Sequence, residues 1–174
     1  MTLGEIYAAH FDFVWRNLHR LGVAPHSVDD AVQDVFLVVH RRLSEFEGRS
    51  SMRTWLFGIL RRVARDHRPP RREQAMDPAR LDDLAGQVAP GQFESLAQQQ
   101  AADLVRSMLA ELDDDKRETF ILVDMEHMSV PEAAQALHAN VNTVYARIRA
   151  ARTELGKALA RRRAEARRRE PWNV

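Results

Sequence analysis

The side chains of this chain best suited to recognition chemistry share one face of a predicted helix near the C-terminal end. They are an amide, a phenol and two guanidinium groups, at Asn142, Tyr145, Arg149 and Arg152. Their spacing of three, four and three residues places them on one side of an α-helix. Such groups contact base edges and phosphates in DNA. We therefore predict a DNA-binding face, with an ordinary surface helix and solvated arginines as the alternative.

The residues before this helix predict a helix-turn-helix. Ser129 and Glu132 have the spacing of a capping box, in which each residue satisfies a free amide at the start of a helix. The turn that follows calls for a residue with positive φ, and either His138 or Asn140 could supply it. The cap, the short helix, the turn and the basic helix together predict a helix-turn-helix over residues 129–155.

Composition narrows the class of protein. The 174 residues are 45% hydrophobic and 29% charged and include no cysteine, which excludes disulfides, thiolate catalysis and cysteine-ligated zinc. The chain has no signal-peptide pattern and no apolar run near the roughly 20 residues that span a membrane, so we expect a cytoplasmic protein. Its seven histidines show no metal-like spacing, and no catalytic constellation is recognised. We expect a protein that is not an enzyme and needs no metal, cofactor or small-molecule substrate.

The net charge of +1 conceals an uneven distribution of charge. Basic residues predominate in 1–72 and strongly in 147–169, whereas acidic residues predominate in 73–112. Two basic modules around an acidic spacer suit a partner with two separated patches of nucleic acid.

Apolar periodicity predicts an all-α fold of two small helical domains. Residues 1–72 would form a three-helix domain, in which Ser27 caps the second helix, and residues 94–160 would form a second domain that ends in the helix-turn-helix. Residues 73–93 would form a flexible acidic linker, because prolines and glycines interrupt periodicity there. Residues 161–174 would form a basic tail, the first part of which extends the last helix as a frayed end.

Two blocks of the sequence resemble conserved regions of bacterial sigma factors. Residues 27–68, which begin SVDDAVQDVF, are similar to the second region, and residues 109–159, which contain SVPEAAQALHANVNTVYARIRAARTEL, are similar to the fourth. The short length and the missing middle domain resemble the extracytoplasmic-function type of the sigma-70 family. The resemblance implies a factor that directs bacterial RNA polymerase to specific promoters and initiates transcription, in a stress or envelope response under the control of an anti-sigma protein.

The resemblance assigns binding of the polymerase core to the second predicted helix. In sigma factors a DDxxQDxF pattern binds the clamp of the large polymerase subunit, and here it is matched by Asp29, Asp30, Gln33, Asp34 and Phe36. A patch of carboxylates and an amide suits a basic, glutamine-rich partner helix. The alternative is that Asp29 and Asp30 only favour the start of the helix through its dipole.

The resemblance assigns recognition and melting of the minus-ten promoter element to the loop at 45–51 and the helix after it. Family members capture a flipped base there, and aromatic, small polar and cationic groups serve that purpose. The candidates are Phe46, Arg49, Ser50, Ser51, Arg53, Thr54, Arg61, Arg62 and Arg65. Arg61, Arg62, Arg65 and Arg68 would line the outer face of the helix and hold phosphates.

Trp55 and Arg62 differ from the other residues of this block. Trp55 has the spacing of a core residue relative to Ile59, which favours packing over stacking on a base. Arg62 stands where the family usually has asparagine. This departure puts the usual base contact in doubt and suggests an altered promoter preference.

The resemblance assigns the minus-thirty-five element, read as duplex DNA, to the helix-turn-helix. The candidates are Asn140, Asn142, Thr143, Tyr145, Arg147, Arg149 and Arg152. Two other functions remain open at this point. A free-standing helix-turn-helix regulator would need a dimer interface and palindromic half-sites, and the N-terminal block shows no heptad seam or ligand pocket. A sigma-like protein that sequesters a regulator without initiating transcription is the other.

Overall fold

The computed structural model describes residues 2–68 and 96–169, and all regular structure in these ranges is helical, which confirms the predicted fold class. The first range contains α1 (Leu3–Arg20), α2 (Val28–Arg42) and α3 (Met52–His67), with 3₁₀ turns at Pro25–Ser27 and Leu43–Glu45. The second contains α4 (Leu96–Glu111), α5 (Asp114–Phe120), a π-helical turn at Ile121–Met125, α6 (Val130–Leu137) and α7 (Val141–Arg169). The predicted linker at 73–93 lies outside the described residues.

Residues 2–68, which we call the first unit, form a three-helix arrangement around an apolar core. Thr2 begins α1 in a capping box with Glu5. The core positions recur at helical spacing on all three helices, and they include Val14, Leu18, Val35, Val39, Leu56 and Leu60. Burial of each such side chain contributes roughly 1.5–3 kcal/mol, so the apolar stripes determine which helix faces meet.

The start of α2 differs from the prediction. Ser27 ends a 3₁₀ turn with φ −110° and ψ −2°, and its hydroxyl makes no capping hydrogen bond. A capping oxygen normally reaches the helix amides from an extended backbone, and Ser27 does not have one. Asp29 and Asp30 nevertheless lie in the first turn, where their charges favour the positive end of the helix dipole.

Residues 96–169, the second unit, are organised around the buried guanidinium of Arg117. This group donates to the carbonyl oxygens of Leu109 and Leu112 at 2.8 and 3.0 Å, at the end of α4. Carbonyl groups at a helix end lack partners within the helix, so a buried arginine satisfies them. On the other side of α5, Val144 and Ile148 of α7 are buried in the stripe that the sequence predicts.

α7 continues without interruption to Arg169, so the first part of the predicted basic tail extends the last helix. Arg161 and Arg162 donate to Glu111 of α4 at 2.5 and 2.9 Å, and Arg162 also donates to the Ser107 hydroxyl at 2.8 Å. These contacts attach the start of the extension to the rest of the second unit. Residues 170–174 lie outside the described residues.

The two units pack against each other, an arrangement that sequence analysis left open. Their buried side chains belong to one continuous apolar cluster. α3 of the first unit packs on α6 of the second, and a Cβ added at Gly58 would lie 4.0 Å from the carbonyl oxygen of Ala136. The small side chains of α6 allow this approach of two helices.

His138, in the turn of the helix-turn-helix, has a strained backbone conformation. His138 has φ 51° and ψ 43°, a left-handed conformation that costs a residue with a Cβ about 1–2 kcal/mol. We predict that His138→Gly raises the free energy of unfolding by about 0.5–1 kcal/mol, after the greater flexibility of unfolded glycine is allowed for. The measurement is urea unfolding of the full chain. His138→Ala, which keeps the Cβ, is the control and should not stabilise; equal stabilisation by both variants would contradict the strain.

His19 should make stability depend on pH. Burial lowers the pKa of its imidazole to about 4, and Arg106 of α4 adds repulsion, while Trp15 covers the ring at 4.2 Å between centroids. In the unfolded chain the pKa returns to about 6.5, so stability present above pH 6.5 is lost as the pH falls towards 4. We predict that the chain loses about 2 kcal/mol between pH 7 and pH 5 through this group.

Urea unfolding at both pH values measures this effect. His19→Gln, which cannot gain a proton, should remove most of the loss, whereas His26→Gln at an exposed position should leave it intact. An identical pH dependence in wild type and His19→Gln would show that the imidazole does not cause it.

Candidate nucleic-acid interface

The turn between α6 and α7 presents the start of α7 to solvent. Ser129 and Glu132 form the predicted capping box, and His138, rather than Asn140, takes the positive φ. The side-chain oxygen of Asn140 accepts from the backbone N–H of Asn142 at 2.8 Å, so Asn140 caps α7. Asn142, Thr143 and Tyr145 follow it with exposed side chains. The first turns of α7 therefore offer an open polar surface.

The predicted arginines of α7 differ in whether a carboxylate of the same chain pairs with them. Arg152 donates to both oxygens of Asp124 at 2.9 and 2.6 Å, and Arg147 donates to Asp115 at 2.5 Å. Arg149 is exposed and makes no ion pair with the described part of the chain. Arg149 is thus available to a ligand, whereas Arg147 and Arg152 would first have to break their ion pairs with carboxylates.

The predicted minus-ten residues of the loop and the start of α3 divide into two groups. Ser51 caps α3 by accepting from the Thr54 amide at 3.1 Å, and the Thr54 side chain is buried, so these two residues have structural tasks. Phe46 packs on the half-buried Trp55 with 5.2 Å between ring centroids, which places Trp55 at the edge of the core.

The remaining loop residues are more accessible. Arg53 lies over the Phe13 ring at 5.5 Å and is otherwise exposed. Arg49 is exposed and pairs with Glu47, and Ser50 is half-buried. An aromatic pair beside exposed guanidinium groups can offer a stacking surface and phosphate contacts to a single strand.

The arginines of α3 do not share one outer face, contrary to the prediction. Arg61, Arg65 and Arg68 point towards the second unit, where they contact carboxylates. Arg62 is exposed on another side of the helix and makes no ion pair with the described part of the chain. The reason is helical geometry, because positions 61, 65 and 68 are aligned along the helix and position 62 is rotated by about 100° from position 61.

The predicted polymerase-binding residues of α2 form an acidic patch. Asp29, Asp30, Gln33 and Asp34 are exposed, and Asp34 lies 2.7 Å from the Nε2 atom of His67. Phe36 differs, because its side chain is 7% exposed and its ring packs 4.6 Å from that of Tyr7. Phe36 thus supports the patch from inside.

A groove beside the acidic patch contains residues that sequence analysis missed. The groove has a volume of about 480 Å³ and lies between α1 and α2. Tyr7 and Leu37, which are 47% and 44% exposed, stand on its two sides, and Phe11 and Val32 form part of its floor. The signal was present in the sequence, since Leu37 is an apolar residue outside the buried stripe of α2. An apolar groove bordered by carboxylates can accept a basic amphipathic helix.

The described residues show neither a membrane span nor a metal centre. No helix within residues 2–68 and 96–169 is long and apolar enough to cross a membrane. The same ranges contain no group of three or more histidine, aspartate or glutamate side chains placed to hold a metal ion. The chemical character of the described surface comes from arginines, amides, carboxylates and aromatic rings.

An all-α chain with a helix-turn-helix and an arginine-rich second helical unit belongs to the class of nucleic-acid-binding proteins. Residues 6–73 match the family model for sigma-70 region 2, and residues 102–155 match that for sigma-70 region 4. The RNA polymerase sigma factor CnrH of Cupriavidus metallidurans is 35% identical over 165 residues, which cover 91% of this chain and 86% of the relative. The ECF RNA polymerase sigma factor SigC of Mycobacterium tuberculosis is 33% identical over 147 residues, with coverage of 82% and 75%.

Solved structures agree with these relatives. The structure of CnrH in complex with the cytosolic domain of CnrY has a TM-score of 0.69 and 28% sequence identity, with coverage of 91% of this chain and 87% of that one. The sigma factor RpoE of Bartonella quintana, in complex with the anti-sigma factor NepR, has a TM-score of 0.62 at 24% identity and shares the fold. The chain belongs to the sigma-70 family and is of the extracytoplasmic-function type. As a sigma factor, it directs bacterial RNA polymerase to promoters and initiates transcription.

Arg149 and Arg152 should contribute unequally to DNA binding, because only Arg152 is paired with a carboxylate. Arg149→Ala should weaken binding of promoter duplex by the polymerase holoenzyme about tenfold and reduce the slope of log affinity against log salt by about one, as expected for one lost phosphate or base contact. Arg152→Ala should have a smaller effect, because Asp124 already neutralises that guanidinium. The measurement is salt-dependent binding to a promoter that the holoenzyme selects from genomic fragments. A larger loss for Arg152→Ala than for Arg149→Ala would reverse the assignment.

Proposed function

We propose that the acidic patch and the adjacent groove of the first unit bind the clamp of the large polymerase subunit. The support is chemical. Asp29, Asp30 and Gln33 offer acceptors to a basic, glutamine-rich helix, and Leu37 and Tyr7 offer apolar area beside them. A standard protein interface combines such an apolar centre with a polar rim.

The minus-ten element of the promoter is the proposed ligand of the loop at 45–51 and of α3. Phe46 and Trp55 offer aromatic surface for an unstacked base, and Arg49, Arg53 and Arg62 offer exposed positive charge for the single-stranded backbone. The capping bonds of Ser51 and Thr54 would hold the start of α3 in place when DNA binds. Arg62 would give this factor a base preference different from that of relatives with asparagine there.

The minus-thirty-five element is the proposed ligand of α7. Asn142 and Tyr145 are exposed in its first turns, and Arg149 follows one turn later, so all three can enter a major groove from the N-terminal end of the helix. Helix-turn-helix proteins read bases with this part of the recognition helix. We assign the readout to these three residues, and we assign Thr143 and the cap residue Asn140 to phosphate contacts at the same end.

An anti-sigma protein is the proposed regulator, acting inside the cell where the polymerase is. The support is the similarity to CnrH, whose structure contains the cytosolic domain of CnrY, together with an exposed apolar groove that a partner could cover. An anti-sigma segment that fills the groove would compete directly with the polymerase clamp.

The observation that carries the proposal is the placement of two different binding surfaces on two helical units, an acidic patch with a groove on one and an open helix-turn-helix on the other. Run-off transcription with core polymerase, with and without the chain, tests it. We expect a specific start site only when the chain is present. A footprint symmetric about a dyad, without transcription, would instead indicate a free-standing regulator.

Reversal of charge on the acidic patch should separate polymerase binding from folding. Asp30→Arg combined with Asp34→Arg should weaken assembly with core polymerase by tenfold or more, because like charges then face the basic clamp helix. The measurements are co-purification with core polymerase and thermal unfolding of the free chain. The control pair, Asp12→Arg with Glu165→Arg, changes two other exposed carboxylates and should assemble normally. Normal assembly of the patch variant would remove α2 from the polymerase interface.

A further inference from the structure

An ion pair between Asp124 and Arg152 joins α7 to the π-helical turn at Ile121–Met125. The Nε atom of Arg152 donates to the Oδ2 atom of Asp124 at 2.9 Å, and its Nη2 atom donates to the Oδ1 atom at 2.6 Å. A bidentate pair of this kind fixes the orientation of the guanidinium group as well as its distance from the carboxylate. Arg152 therefore leaves α7 in one defined direction.

The ion pair uses only one edge of the guanidinium group. The Nη1 atom of Arg152 makes no hydrogen bond with the described part of the chain, and the side chain is 59% exposed although it is paired. Because the guanidinium group is a planar fork of N–H donors, Nη1 and the second N–H of Nη2 form another pair of donors at its end. This end of the fork is available to the oxygen atoms of a ligand.

The backbone before the helix-turn-helix places Asp124 beside α7. Ile121 and Leu122 of the π-helical turn are buried, and the amide of Glu126 donates to the carbonyl oxygen of Ile121 at 2.9 Å, which closes the wider turn. Single π-helical turns of this kind occur frequently at functional sites. The Asp124 side chain is 23% exposed. Its carboxylate thus lies at the edge of a packed core, which holds it in place.

The position of Arg152 along α7 favours a phosphate over a base edge as its ligand. Arg152 shares one side of the helix with Tyr145 and Arg149. Its distance from Asn142 along the helix axis is about 15 Å, at 1.5 Å per residue, whereas the major groove of DNA is about 12 Å wide. When the first turns of α7 enter the groove, Arg152 therefore reaches its rim, where the phosphates lie.

A second ion pair of the same chemical type lies on the other side of α7. Arg147 donates to Asp115 of α5 at 2.5 Å, and its side chain is only 26% exposed. Arg147 follows Tyr145 by two positions, which rotates it by about 200° around the helix axis. The Asp115–Arg147 pair thus points away from the side of α7 that carries Tyr145 and Arg149, and it provides a matched control for Asp124.

We propose that Asp124 is a positioning residue for recognition of the minus-thirty-five element. It holds Arg152 by one edge, so that the other edge meets a single DNA phosphate at the rim of the major groove. Phosphate contacts fix the register of a protein on a duplex. This contact sets the register in which the exposed residues of the first turns of α7 read the bases. The inference rests on the function proposed above for α7.

Loss of Asp124 should change selectivity more than it changes total affinity. While the ion pair is intact it has no net charge, so Arg152 contributes little to binding that is independent of sequence. Without Asp124 the guanidinium group samples many rotamers and pairs with any phosphate within reach. Binding to unrelated DNA should then increase, whereas the correct element gains less because the register is no longer fixed by this contact.

The test compares the affinity of polymerase holoenzyme for two duplexes. One is a promoter that the holoenzyme selects from genomic fragments, and the other is the same promoter with its minus-thirty-five element scrambled. Asp124→Asn should lower the ratio of the two affinities by about fivefold or more and should steepen the salt dependence on the scrambled duplex by about one. Asp115→Asn removes the same charge and should leave the ratio within about twofold of the wild-type value.

Two further variants separate positioning from simple neutralisation of charge. Arg152→Lys keeps the positive charge next to Asp124 but lacks the planar fork, so it should lower the ratio to a similar extent. Asp124→Asn in an Arg152→Ala background should cause no further loss, because Asp124 acts through Arg152. An unchanged ratio for Asp124→Asn, or an equal loss for Asp115→Asn, overturns the proposal. If thermal unfolding shows that the Asp124→Asn variant does not fold, Arg152→Lys decides in its place, and an unchanged ratio for that variant overturns the proposal.

Arg149→Ala tests the underlying function of α7 in the same assay. A lower ratio for Arg149→Ala together with an unchanged ratio for Asp124→Asn refutes positioning by Asp124 and leaves the reading of the element by α7 intact. An unchanged ratio for both variants refutes the reading of the minus-thirty-five element by this side of α7 as well.

Discussion

The arrangement of the two units depends on two carboxylates that are almost fully withdrawn from water. Glu118 and Glu126 would each cost several kcal/mol to bury alone, and arginines of α1 and α3 offset that cost. Burial still raises the pKa of the Glu118 carboxyl although Arg61 and Arg65 lie beside it. The ion pairs therefore do not fully replace the lost hydration. Paired buried charges of this kind determine which faces of the two units meet.

The side chains of α3 face three different environments. Leu56 and Leu60 face the core of the first unit, Arg61 and Arg65 face the second unit, and Arg62 faces solvent. The three directions follow from the helical repeat, since neighbouring residues are rotated by about 100°. A packed core on one side keeps the helix rigid, so its charged side chains leave it in fixed directions.

Sequence reasoning predicted local features well and distant ones poorly. The capping box of Ser129 and Glu132 and the all-helical fold were predicted, because caps and apolar periodicity depend on residues a few positions apart. The Ser27 cap was predicted wrongly, and the contacts of the basic tail were not predicted. In the first case a 3₁₀ turn changes the backbone before α2, and in the second case Arg161 and Arg162 attach the helix to α4. Local patterns contain neither piece of information.

Residue types and their spacing along the chain were enough to predict the helices, the helix-turn-helix, the family and the chemical groups available for binding. Which of those groups are accessible depends instead on how the helices pack in three dimensions. Arg147 and Arg152 are paired with carboxylates 32 and 28 residues away along the chain, and Arg61 and Arg65 are paired across the two units, whereas Arg149 is left open. The physical reason is that helix formation depends on neighbours in sequence, while burial and ion pairing depend on neighbours in space.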